Sequence, residues 1–483
     1  MLGSLLLSYA LNQHLQGVDD ILAILLAFAA SPEEIEVILL SLTFGNVDVS
    51  NCLRNTVSLF HHVEKELTWR RDHGRPEGFE ALRASKPLVA VGAEEPLADQ
   101  RMMADYFHGR DGLGGIHESH PHLTPEETWK QLFKSQETLE APENSDLAQE
   151  LEHPRLFEPS QVRSHEEILR LLRENDKDTI TIVAIGPLTN LALAAAHDPE
   201  AFLRVKEVVV MGGTINVSGN VRSPPPLDRP PSPPAPPFHL TKAPSSFVRT
   251  SLNLRNQITP VAEFNTFADS IAAARVYALT SPKPESTMPP VPPAPPGKQA
   301  EDAPPPFLAP YPDKLSRQLK VTLFPLDITT PHTLTRGRYN ATVKPLIEAG
   351  SPLATWTTAF LSATFGKIES LQEGVSGDDV GLELHDPLCI WYALTGLQKG
   401  WRVQTEEDIR IETSGQWTRG MCVVDRRNRK RREADDGEGE KAGDTGNWLS
   451  PSAGNRLGRC DQTPGEEAFA PYLLETIFGV YKS

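Results

Sequence analysis

Cysteine is the residue this chain uses least: Cys52, Cys389, Cys422 and Cys460 are its only four, and they are widely spaced. No Cys-x-x-Cys pair and no Cys/His spacing of the zinc-holding kind occurs, so neither a zinc site nor a disulfide framework is expected. A reducing compartment is the default. Long apolar runs are also missing. No stretch reaches 18 apolar residues, the length a bilayer-spanning helix needs. The apolar segment from Leu5 to Leu11 is too short to span and carries no basic leader. Positive charge is scarce as well: 47 Lys and Arg face 64 Asp and Glu, a net charge of −17. That balance disfavours a nucleic-acid partner. The chain therefore reads as soluble and cytoplasmic, with no membrane and no nucleic acid to bind.

Apolar residues make up 39% of the 483, and there are 43 prolines, a composition poorer in core-formers than usual. A few biased stretches account for the deficit. Residues 222–258 are a proline-rich insert, 281–312 a proline-rich loop, and 426–458 a charged and polar loop in which a basic run meets an acidic one. Residues 116 to about 160 read as a loose polar excursion. What remains reads as one domain over 1–483. Apolar strands are expected at 36–44, 86–93, 179–185, 205–211 and 320–326, and they alternate with helical stretches. Near-continuous apolar strands are buried on both faces, as in parallel sheets. The fold class is α/β: a Rossmann-like, open, mostly parallel sheet flanked by helices, with long low-complexity insertions.

The helix that organises the chain starts at Gly17-Val18-Asp19-Asp20 and runs into ten apolar residues. Acids at a helix start suit its dipole. Two of them on a buried helix can also hold a hard cation or sugar hydroxyls. In open α/β sheets, ligands bind outside the carboxyl ends of the strands. The groups expected there are Asn46, the Ile185 backbone, Met211, Asn220, Glu263, Asn265 and His385-Asp386. Few are basic, which disfavours a phosphorylated ligand. Carboxylates, amides and carbonyls suit Ca²⁺ and a neutral polyol. Each residue alone has a plainer reading. Asn46 is a turn residue, Met211 core filler, Asp386 a helix start and His385 a core histidine. The glycine-rich loop from His108 to Gly115 lacks the context of a nucleotide phosphate cradle.

Taken in order, the motifs GVDDILAILLA (17–27), GNV (45–47), GPLTNLALA (186–194), VVVMGG (208–213), GN (219–220), PVAEFN (260–265) and HDP (385–387) are similar to those of the inosine–uridine preferring nucleoside hydrolases. The resemblance implies hydrolysis of the N-glycosidic bond of ribonucleosides with Ca²⁺ as cofactor. It implies Asp20, Asp386 and the Ile185 carbonyl as metal ligands, and Asp19, Asn46, Met211, Asn220, Glu263 and Asn265 around the ribose. It gives catalytic roles to Asp19 and to His385, the latter as the acid that protonates the departing base. A small-molecule ribonucleoside is the expected partner. Base preference is not legible, and a homo-oligomer is compatible with the sequence.

Two departures stand out. Leu15 falls where the family has a metal-ligating aspartate, also proposed as the base for the attacking water, and no convincing first strand precedes it. The 222–258 insert separates Asn220 from Glu263. The alternative reading is therefore a catalytically impaired nucleoside-binding or interaction protein. A third is a scaffold whose proline stretches recruit partner domains.

Overall fold

The computed structural model describes residues 17–97, 108–125, 133, 156–220, 260–289, 308–372, 374–434 and 441–479, together with the backbone of 8–13. Leu15, the 222–258 insert and residues 290–307 of the proline-rich loop lie outside the described residues.

Thirteen strands are described: β1 Ser8–Gln13, β2 Glu36–Leu42, β3 Leu88–Val91, β4 Glu158–Pro159, β5 Ile180–Ala184, β6 Glu207–Met211, β7 Val321–Phe324, β8 Thr333–Thr335, β9 Gly381–Glu383, β10 Arg402–Glu407, β11 Arg410–Ile411, β12 Cys422–Val423 and β13 Leu457–Gln462. Nine of them form one sheet in the order β10-β13-β7-β6-β5-β1-β2-β3-β4. All its pairings are parallel except that of edge strand β10 with β13. The expected α/β class stands. The remaining strands make two antiparallel pairs, β8 with β9 and β11 with β12.

Side chains of the central strands alternate between two cores, as the strand period of two requires. Val183 and Val209 face one core, and Ile182, Val208 and Val210 the other. The first core is built around the helix Val18–Ala29, whose residues are all buried except Ala29. A helix apolar all round fits only between layers. This one lies against the helices His385–Thr395 and Glu466–Phe478. The second core packs the helices Ser164–Glu174, Thr189–His197 and Ser270–Ala278 on the opposite face.

Two expectations change, and a third gains detail. The first strand exists: β1 is an interior strand of the sheet, paired with β2 on one side and β5 on the other. Its pairing is set by two distant neighbours, so local composition carried no sign of it. The excursion at 116–160 is anchored where it is described. The helix Ile116–Ser119 has Ile116 and His117 buried, and β4 extends the sheet edge. The charged loop at 426–458 is exposed over 426–430, and its described part is drawn together at a buried acid. Arg427, Arg429 and Arg432 gather on the buried Asp444 at 3.8, 3.4 and 3.7 Å, and residues from Leu457 onward form β13.

One buried ion pair ties the helical layer together. Glu66, on the helix Val49–Asp72, accepts hydrogen bonds from Arg70 Nε at 2.7 Å, the Ser351 hydroxyl at 2.7 Å and the Leu353 N–H at 3.1 Å. Arg70 also donates to the carbonyls of Glu77 and Ile477. Glu66→Ala would strand the buried guanidinium, and a loss of about 3–5 kcal/mol is expected. Urea unfolding checks this as a lower midpoint at unchanged slope.

Candidate active site

The site lies where the sheet changes direction. From β1 the chain lays down β2, β3 and β4 on one side, then returns to place β5, β6 and β7 on the other. A crevice opens at such a switch, outside the carboxyl ends of β1 and β5. Every element that leaves those ends carries one of the expected residues.

Gly17 caps the helix Val18–Ala29 from an extended backbone. Its N–H donates to Asp20 Oδ2 at 2.9 Å, which turns the Asp20 carboxyl back over the helix start. The helix His385–Thr395 begins beside it with Asp386 in its first turn. Two helix N-termini thus converge, each favouring a carboxylate. One carboxyl oxygen from each of Asp19, Asp20 and Asp386 lies within 4.8 Å of the others. Asp20 is 0% and Asp386 3% exposed. Burial, then the charges of Asp19, Asp20 and Glu263, holds the Asp386 carboxyl well above the ordinary carboxylate range. Such a cluster is strained by its own charge and suits a cation. The donors are hard oxygens, the set that Ca²⁺ and similar ions prefer. Gly17 leaves the space for them. A Cβ there would meet Asp19 Oδ1 and Asp20 Oδ2 at 2.8 Å each. On donor chemistry and on space, the residues present fit a divalent cation.

The opposite wall comes from β5, β6 and the segment after Pro260. Asn265 Nδ2 bridges the carbonyls of Ile185 and Met211, at 3.3 Å each. Glu263 caps the short helix Phe264–Ala268. Its carboxylate accepts from the N–H groups of Gly213, Asn265 and Thr266 and from the Thr266 hydroxyl, at 2.6–3.1 Å. Three of these bonds fall on Oε2 and one on Oε1, so Glu263 braces this wall while Oε1 keeps a further acceptor position. Asn220 Oδ1 accepts the Phe264 N–H at 2.9 Å, which brings GN against PVAEFN on either side of the insert. Asn46 lies 6% exposed in the turn beyond β2, at the same end of the sheet.

His385 Nε2 pairs with Glu383 Oε2 at 3.0 Å and Nδ1 with the Thr329 hydroxyl at 2.7 Å. Burial pulls its pKa down. The hydrogen bond and charge of Glu383, with the charges of Asp19 and Glu263, overcome that and hold it above the ordinary imidazole value. Sequence reasoning missed three neighbours. Glu383 and Thr329 orient His385, and His108 packs its Cε1 within 3.2 Å of where a Gly17 Cβ would sit. For His108 the signal was the glycine-rich loop that follows it. For Glu383 and Thr329 there was none, because a three-residue strand and a one-turn helix are too short to show a pattern.

An open α/β sheet with buried acids at its switch point and an oriented histidine beside them defines a hydrolytic class of site. The sequence pattern of the inosine-uridine preferring nucleoside hydrolase family matches residues 16–442, and the chain belongs to that enzyme family. It is 25% identical over 409 residues to the pyrimidine-specific ribonucleoside hydrolase RihA of Klebsiella pneumoniae, covering 85% of this chain and 86% of that protein. It is 29% identical over 206 residues to a probable uridine nucleosidase 1 of Oryza sativa, a match that spans 42% of this chain and 46% of that one. Among solved structures, a purine-preferring ribonucleoside hydrolase from Gardnerella vaginalis shares the fold at a TM-score of 0.54 and 18% identity, over 98% of both chains. No helix among the described residues is long and apolar enough to cross a membrane.

Proposed function

We propose that this protein hydrolyses the N-glycosidic bond of ribonucleosides to ribose and free base in the cytoplasm. The observation that carries this reading is the buried Asp19–Asp20–Asp386 cluster, set beside an oriented His385 at the sheet's switch point. Asp20, Asp386 and the Ile185 carbonyl would hold a Ca²⁺ ion. When bound, such an ion lowers the pKa of water and fixes sugar hydroxyls.

The protein's own groups supply the rest. Asp19 would meet the ribose diol and take the water's proton; its nearness to Asp20 and Asp386 supports that role. Asn46, Met211, Asn220, Glu263 and Asn265 would line the sugar, and Glu263 also keeps Asn265 in place. Hydrolysis adds hydroxyl to the sugar carbon and a proton to the departing base. His385, kept readily protonated by Glu383, is the group to give that proton. Its Nδ1, shared with the Thr329 hydroxyl, is the nitrogen that can exchange partners for the base.

Leu15 favours a second reading, a protein that binds nucleosides with little turnover, since a leucine can neither ligate a cation nor accept a proton. Sugar release from uridine and inosine, with Ca²⁺ present, tests both. Turnover by the chain as it stands supports the first. Turnover only after Leu15→Asp, with a gain of about 100-fold or more, supports the second; one carboxylate in such a site is worth that much. A folded protein that neither turns over nor binds nucleosides in either form sinks both.

A further inference from the structure

The glycine-rich loop from His108 to Gly115 is held by three buried residues that the proposed chemistry does not use. Asp111 is 8%, His117 7% and Asn55 0% exposed. Asp111 Oδ1 accepts the N–H groups of Leu113 at 2.9 Å and Gly115 at 2.8 Å, and Oδ2 accepts that of His117 at 3.0 Å. The turn is tight. Gly109, at φ 80°, packs so closely on Gly114 that a Cβ would sit 3.1 Å from its Cα. The Gly114 N–H in turn holds the His108 carbonyl at 2.7 Å.

The whole unit is fastened to the helix Val49–Asp72, which starts just beyond Asn46. Asn55 Nδ2 donates to the Asp111 carbonyl at 2.8 Å. That bond orients the Asn55 amide, so Oδ1 faces His117 Nε2 at 2.8 Å. An amide oxygen only accepts, so the His117 proton is on Nε2, and Nδ1 accepts the Thr124 hydroxyl at 2.7 Å. Burial, then the nearby Arg54 charge, pushes the His117 pKa down to about 4 against the pull of Asp111. The ring is therefore neutral at neutral pH, in the one tautomer that closes the network.

We propose that Asn55, Asp111 and His117 form a clasp that sets the position of His108 beside the acid cluster, which makes them positioning residues of the active site. The clasp couples two walls, the Asn46 end of β2 and the loop that presents His108. This rests on the hydrolase reading above, and none of the three residues meets substrate.

The test has one arm independent of turnover. In protein labelled with ¹³C-histidine, the His108 ring resonance is assigned through His108→Gln. His117→Ala is expected to shift or broaden it, and His117→Gln, which keeps a donor toward Asn55, to restore most of it. An unchanged His108 signal in His117→Ala overturns the proposal. In the kinetic arm, His117→Ala is expected to lower kcat/KM by about 10- to 100-fold, with recovery in His117→Gln. Added to His108→Ala, it should cost nothing further, because it acts through that residue. A fully additive loss overturns the clasp. If neither the wild type nor Leu15→Asp releases sugar, the hydrolase reading fails, and the histidine resonances alone decide the clasp.

Discussion

Gly17→Ala is expected to cut nucleoside turnover by about 100-fold or more while leaving the fold in place. The glycine caps the helix that carries two of the three acids, at φ −116° and ψ 154°. Any residue adopts that backbone, so the helix itself loses nothing. The cost is spatial. The new methyl would meet both Asp19 and Asp20 carboxylates at 2.8 Å and the His108 ring at 3.2 Å. Asp20 has little room to yield, being fully buried and bonded to the Gly17 N–H. The carboxylates and His108 would spread, and a displacement of about 1 Å is enough for the loss stated. Crowding of this kind costs about 1–3 kcal/mol of stability. Circular dichroism and thermal unfolding should therefore show a folded protein, less stable than wild type. Unimpaired sugar release would show that the acid cluster is not where the chemistry happens.

The second large effect concerns the cation. Three buried carboxyls within 4.8 Å repel one another, and a divalent ion that binds only the folded state stabilises it by mass action. At a free ion concentration about 100 times Kd the gain is about 2.7 kcal/mol. Unfolding midpoints are expected to rise with Ca²⁺ and fall with a chelator. Asp386→Asn should act with opposite signs in the two conditions. Without the ion, burial and the neighbouring acids already push Asp386 towards its neutral form, so the uncharged amide leaves stability equal or higher. With the ion it deletes a ligand, so the rise disappears. On the proposed reading Leu15 stands at a ligand position, so the rise should be larger in Leu15→Asp. If neither form responds to any divalent ion, the cluster is not a metal site, and the hydrolase proposal loses its main support.

Much of this was legible before any coordinates. β2, β5, β6 and β7 announced themselves because strands buried on both faces must be apolar throughout. The acids of the first helix and the HDP tripeptide were legible because each combines helix-start grammar with chemistry at fixed spacing. The places where reading failed share a cause. β1 has no strong pattern of its own and earns its position from β2 and β5. Asp444 looked like one acid among many until three arginines converged on it from the run before it. That Glu263 also braces its wall, accepting from Gly213, Asn265 and Thr266, depends on neighbours that only the fold supplies.

By itself, the sequence determined the fold class and the family, and it nominated residues for the carboxyl ends of the strands, since these depend on local periodicity and on the order of short motifs. Only the tertiary structure decided that Asp19, Asp20 and Asp386 share one small volume, that the His108 ring lies beside Gly17 next to them, and that Asn55, Asp111 and His117 bond together under the loop that follows. Those contacts join segments far apart in the chain, and their strength comes from burial and exact distance, neither of which a one-dimensional pattern carries.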